Sequence, residues 1–154
     1  MFCIRIGKIE ELGKVKDFYD SLIEKMQEAE YKPGWKKDIY PTREMLREAL
    51  EKGELYIGEE AGKTVSCMIL NRTCNERYQE ISWPTKARPD QVMAVHTFGV
   101  HPGFSGRGLG KKMMEEAVKM ASDRGMKAIR LDVLAGNLPA EKLYQKIGFQ
   151  YAGS

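Results

Sequence analysis

Residues 100–114 read VHPGFSGRGLGKKMM: four glycines and a proline fall within nine positions, and an apolar helical stripe follows at once. Glycine loses more backbone freedom on folding than other residues, so Gly103, Gly106, Gly108 and Gly110 are costly in any regular element. Their clustering marks a place where something approaches the main chain closely. Upstream, VMAVHTFGV (92–100) is the strongest strand of the chain, with valine, threonine and phenylalanine favouring the pleat. Downstream, Leu109, Met113, Ala117 and Ala121 recur at helical spacing and predict a helix ending at Gly125. A strand, a glycine-rich turn and a helix in succession form an anion receptor. Amides at a helix N-terminus lack intrahelical partners, the dipole adds partial positive charge, and missing side chains let a phosphate reach the backbone.

The remaining elements assemble around this unit. FCIRI (2–6) reads as a first strand, and Ile9, Leu12, Val15, Tyr19, Leu22 and Met26 trace the buried stripe of a helix. A loop with Pro33-Gly34 follows, and Pro41-Thr42 opens a second helix that Gly53 stops. ELYIGEE and KTVSCMILNRT, joined through Ala61-Gly62, predict a hairpin. A long polar stretch leads to residue 92. Past the glycine loop, Ile129, Leu131 and Val133 alternate with Arg130 and Asp132 as a strand does, and Asn137-Leu138-Pro139 starts a helix that stops at Gly148. One more strand begins at Phe149. The order β-α-α-β-β-β-α-β-α-β predicts a mixed α/β layer structure, with residues 1–154 as a single domain.

Composition narrows the function. A net charge of +3, with basic and acidic residues spread along the chain, gives no nucleic-acid footprint but allows one local anion site. Cys3, Cys67 and Cys74 are odd in number and unpaired by motif, so neither a disulfide scaffold nor a structural zinc site is expected. Nothing resembles a metal site. The N-terminus lacks a signal-like apolar stretch and no long apolar run occurs, so the expected location is the cytoplasm, away from membranes.

Two nucleotide motifs fail on spacing. A Walker A loop ending at Gly110-Lys111 needs glycine where Ser105 stands and serine or threonine where Lys112 stands. The dinucleotide fingerprint begun at Gly106 puts its third glycine on Lys111. What remains is G-x-G-x-G directly after V-H-P. This resembles motif A of the GNAT superfamily of acyl-CoA-dependent N-acyltransferases, V-x-P…[QR]-x-x-G-x-[GA]. Val100, Pro102, Gly108 and Gly110 match, while Ser105 departs from the usual glutamine or arginine. NLPAEKLYQKIGF (137–149) is similar to the family's motif B, N-x-x-A-x-x-L-Y-x-x-x-G-F, with Asn137, Ala140, Leu143, Tyr144, Gly148 and Phe149 in register.

The resemblance implies a central mixed, largely antiparallel sheet flanked by helices, in which the strand before the glycine loop splays from the strand after the next helix. Main-chain groups of Phe98, Gly99 and Val100 would hold the pantetheine of acetyl-CoA, and the Phe98 amide could polarise the thioester carbonyl. Amides from Ser105 through Gly106, Arg107, Gly108, Leu109 and Gly110 to Lys111 would take the pyrophosphate. Arg107 and Lys111 either add charge there or remain solvated cations. Asn137 would bond the pantetheine, cap its own helix, or do both.

The implied reaction is transfer of an acetyl group to a primary amine of a small molecule or peptide, with no metal. Tyr144 stands at the family's general-acid position, and a phenol of pKa about 10 can protonate a departing thiolate; plain packing beside Leu143 is the competing reading. His96 could relay the amine's proton, imidazole titrating near neutrality, or serve as an ordinary core histidine. Other members use a glutamate or only water. For the acceptor, loop aromatics Trp35, Tyr40 and Trp83 either line the pocket or close a core edge. A non-catalytic acyl-CoA-binding sensor or interaction module is the alternative. The family usually closes with a further strand beyond the one begun at Phe149; that strand is cut off, supplied by a partner copy, or missing so that an edge stays open, and an open edge predicts a homodimer.

Overall fold

Leu55, Ile57, Cys67 and Ile69 are buried on one side of a sheet, and Tyr56, Met68 and Leu70 on the other. That two-sided burial explains why KTVSCMILN reads as a continuous apolar run. The computed structural model describes residues 2–26, 41–72, 83, 87–104, 108–131 and 138–149. Within them the sheet has five strands in the spatial order of the sequence: β1 (Phe2–Ile6), β2 (Leu55–Glu60), β3 (Lys63–Asn71), β4 (Val92–Val100) and β5 (Ala128–Arg130). The first four pair antiparallel, and β5 runs parallel to β4. The mixed, largely antiparallel sheet implied by the sequence is therefore present.

Helices α1 (Leu12–Met26) and α2 (Arg43–Glu51) cover one face, with Val15, Tyr19, Leu22, Leu46 and Leu50 packed on the first set of strand residues. Leu46 is wholly buried, so truncation to alanine would cost about 2–5 kcal/mol. Helices α3 (Leu109–Asp123) and α4 (Leu138–Ile147) cover the other face through Met113, Met114, Ala117, Ala121, Tyr144 and Ile147. Local chemistry sets the ends. Thr42 Oγ1 accepts from the Met45 amide at 3.0 Å to cap α2. The hairpin turns through Ala61 and Gly62, both at positive φ.

The structure corrects the first helix. Ile9 lies in a single 3-10 turn, Ile9–Glu11, and is 40% exposed, so it does not share the buried stripe. The Glu11 carboxylate accepts from the Lys8 amide at 3.0 Å, which closes this turn before α1 begins. Strand β5 is described over Ala128–Arg130 with Leu131 just outside it, and Val133 and the residues after Phe149 fall outside the described residues.

Candidate active site

Pairing between β4 and β5 covers only Val92–Ala128, Met93–Ile129 and Ala94–Arg130, whereas β4 stays paired to β3 as far as Ser66–Val100. Among the described residues, Val95–Val100 thus run past their parallel neighbour. Phe98, Gly99 and Val100, which the family resemblance assigns to the pantetheine, lie in this stretch.

Side chains from three elements meet there. Phe98 and Tyr144 have ring centroids 6.5 Å apart, and Phe149 approaches Tyr144 edge-on at 5.9 Å. A methyl group on Gly110 would stand 3.2 Å from Leu143 Cδ2, 3.5 Å from Phe98 Cζ and 3.8 Å from Val100 Cγ2. Gly110 is therefore small because α3 begins hard against β4 and α4. Gly108 has a different reason. It sits at φ +74° at the N-cap of α3 with open space around it, a conformation that glycine adopts without strain.

Among the described residues, the first amide of α3 with a helical acceptor is that of Lys112, which bonds the Gly108 carbonyl at 3.1 Å. The amides of Leu109, Gly110 and Lys111 accordingly point out of the helix N-terminus. Leu109 is predicted as a cofactor-binding residue, but its side chain is 3% exposed, so only its main chain can face a ligand. Lys111 is exposed. Ser105, Gly106, Arg107, Asn137, Trp35 and Tyr40 lie outside the described residues. The main-chain donors at the start of α3 are of the kind that bind an anion.

His96 is on the other side of the sheet. It pairs directly with Ile69, whose side chain belongs to the α1/α2 cluster, and directly opposed residues share a face. Its tautomer follows from its neighbours. The Asn71 amide nitrogen donates to Glu54 Oε1 at 3.3 Å, which turns Asn71 Oδ1 toward His96 Nε2, 2.9 Å away. Nε2 is then the donor of this bond, and in the neutral ring Nδ1 is the acceptor nitrogen. Neither Glu54 nor Asn71 carries a local sequence signal for this role; strand pairing alone brings them to His96.

Trp83 stacks under Arg130, whose guanidinium carbon lies 4.2 Å from the ring centroid. Arg130 pairs with Ala94, and Ala94 with Asn71, so Arg130, Asn71 and His96 share the α1/α2 face. At the mouth of the glycine loop, the Gly103 amide donates to His101 Nδ1 at 3.1 Å, and Lys25 Nζ lies 3.1 Å from Nε2. Burial first, and the Lys25 ammonium second, hold the His101 imidazole below its ordinary range. Among the described residues no group of three histidine, cysteine or acidic side chains could hold a metal, and no helix is long and apolar enough to cross a membrane.

Several known proteins are similar to this chain in sequence or fold. The N-alpha-acetyltransferase RimI of Mycobacterium tuberculosis is 31% identical over 116 residues, 75% of this chain and 65% of its own length. A mycothiol acetyltransferase of Thermomonospora curvata is 38% identical over 65 residues, 42% of this chain and 22% of that protein. The chain thus spans less than two thirds of either relative. A GNAT-family acetyltransferase of Streptococcus agalactiae shares the fold, with a TM-score of 0.82 at 20% identity over 99% of this chain and 87% of that one. The profile of the Acetyltransferase (GNAT) family matches residues 17–149. Fold, motifs and profile lead to one statement: the chain belongs to the GNAT acetyltransferase family.

Proposed function

We propose that this protein transfers an acetyl group from acetyl-CoA to a primary amine of a small molecule or peptide, by direct attack of the amine on the thioester. The observation that carries the reading is the convergence of Gly110, Phe98 and Leu143–Tyr144 beside the part of β4 that follows its described pairing with β5. The amides at the start of α3 bind the pyrophosphate, and the main chain of Phe98–Val100 holds the pantetheine.

In the reaction, the amine nitrogen bonds the carbonyl carbon and the carbon–sulfur bond breaks. The Phe98 amide stabilises the oxyanion that forms. Tyr144 gives its phenolic proton to the departing sulfur from the α3/α4 side. His96 Nδ1 takes the amine's proton from the α1/α2 side, with Asn71 and Glu54 holding the ring in the competent tautomer. Acid and base on opposite faces of β4 suit donor and acceptor arriving from opposite directions, without a covalent enzyme intermediate. Trp83, Trp35 and Tyr40 contribute to the acceptor pocket. The names of the relatives, an N-alpha-acetyltransferase and a mycothiol acetyltransferase, support amine acetylation as the reaction class.

The test is release of free thiol from acetyl-CoA across a panel of small and peptide amines, with calorimetry of acetyl-CoA binding in parallel. Turnover with at least one amine is expected. Binding without thiol release from any amine points instead to an acyl-CoA-binding module, and absence of binding to folded protein overturns the reading.

A further inference from the structure

Thr97, in the middle of β4, has φ +47°. A β-branched residue is among those least suited to the left-handed region. The strain belongs to a bulge. Between the Ile69–His96 and Cys67–Gly99 pairs, Met68 of β3 faces two residues of β4, Thr97 and Phe98. The surplus residue inverts the alternation of the strand: Met93 and Val95 pack toward α3, and so does Phe98, three positions after Val95. Without the bulge, Phe98 would face away from Tyr144.

Something must hold this conformation, and α1 supplies it from across the sheet. Tyr19 is 1% exposed, and its hydroxyl donates to the Thr97 carbonyl at 2.7 Å and lies 3.3 Å from Thr97 Oγ1. A carbonyl taken out of a strand ladder and buried needs such a donor.

We propose that Tyr19 is a positioning residue for acyl transfer: its hydroxyl latches the Thr97 carbonyl, keeps the surplus residue in β4, and so fixes how Phe98 and Gly99 present their main chain to the thioester. The inference rests on the acetyl-transfer reading given above, in which those main-chain groups contact the acyl donor.

Tyr19→Phe keeps the ring and its edge contact with Phe18 at 5.2 Å and removes only the hydroxyl. The expected result is a fall in kcat of about tenfold with KM for acetyl-CoA changed less than about threefold, because the loss falls on the transition state. Amide hydrogen exchange over residues 95–101 should speed up by about tenfold or more, since local opening loses its restraint. Thr97→Gly in the same background should restore both readouts to within about threefold of the parent, because glycine takes positive φ without a latch. A packing role for Tyr19 would not be rescued by a backbone change 78 residues away. Unchanged exchange and turnover in Tyr19→Phe, or a double variant no better than the single one, overturns the latch. If the parent protein neither binds acetyl-CoA nor releases thiol, the acetyl-transfer reading fails, and with it the role assigned to Tyr19 in positioning; the exchange data then report on the bulge alone.

Discussion

The Phe149 amide donates to the Tyr144 carbonyl at 2.9 Å, and the Phe149 ring meets the Tyr144 ring edge-on at 5.9 Å. With the Gly148 amide on the Gln145 carbonyl at 3.1 Å and Gly148 at φ +114°, this is a Schellman helix end, whose apolar residue folds back over the last turn. The stop signal of α4 and the orientation of the proposed acid are one unit. Gly148→Ala is expected to cost about 1–2 kcal/mol in urea unfolding, the penalty of an L side chain at positive φ. Phe149→Ala leaves the backbone cap but lets the phenol ring wander, and kcat should fall about tenfold through misplacement alone.

Tyr144→Phe keeps the ring contacts with Phe98 and Phe149 and removes the hydroxyl. Thiol release should slow by about a hundredfold, the range of a lost general acid, while calorimetry shows acetyl-CoA affinity within about twofold of the parent. Full turnover would move the acid role elsewhere.

Asn71→Leu deprives His96 Nε2 of its acceptor. A drop in kcat of about tenfold is expected, with His96→Gln similar and the double variant no worse than either, as befits residues acting as one unit. Strict additivity of the two losses would separate Asn71 from His96.

Gly110→Ala sets two effects against each other. Alanine gains about 1 kcal/mol of helix propensity, yet its methyl would meet Leu143 Cδ2 at 3.2 Å and press α4 away from β4. Stability within about 1 kcal/mol of the parent is expected, together with a loss of about tenfold in kcat/KM for acetyl-CoA as Tyr144 moves with α4. Thermal unfolding and initial rates on the same sample check both halves.

Glu11 ties the N-terminal turn to the sheet edge. The Arg5 guanidinium donates to both its oxygens at 2.8 and 2.7 Å and, against the cost of burial, lowers its pKa to about 2. The carboxylate form is favoured in the folded chain, so the contribution is complete above the ordinary carboxylate range and is lost as pH falls toward about 2. The pair is partly solvated, with 34% of the Arg5 side chain and 18% of the Glu11 side chain exposed. Glu11→Gln should therefore lose about 1 kcal/mol less than the parent between neutral pH and about pH 3 in urea titrations.

How far the fold could be read in advance depended on whether each signal was local. Both ends of β4, the Ala61-Gly62 turn, the Thr42 cap and the glycine stops of α3 and α4 are set by neighbouring residues, and all appear where the patterns put them. The bulge at Thr97 could not be read, because threonine favours a plain strand; the surplus residue comes from pairing with β3, where Tyr19 also meets it. Gly110 was legible as a close approach but not by what, since its neighbours Phe98 and Leu143 come from separate elements. Glu54 and Asn71 escaped notice for the same reason: each is an ordinary polar residue until the strands align them with His96.

Ala94 is fully buried between Asn71 on one neighbouring strand and Arg130 on the other, the last rung among the described residues at which β4 pairs on both sides. Alternation across that rung makes the sheet a partition, with each strand side chain assigned to one compartment. In the proposed enzyme, taste for a particular amine can drift through exchanges on the His96 side while the grip on the thioester is inherited intact from the other, a modularity written into the pleat itself.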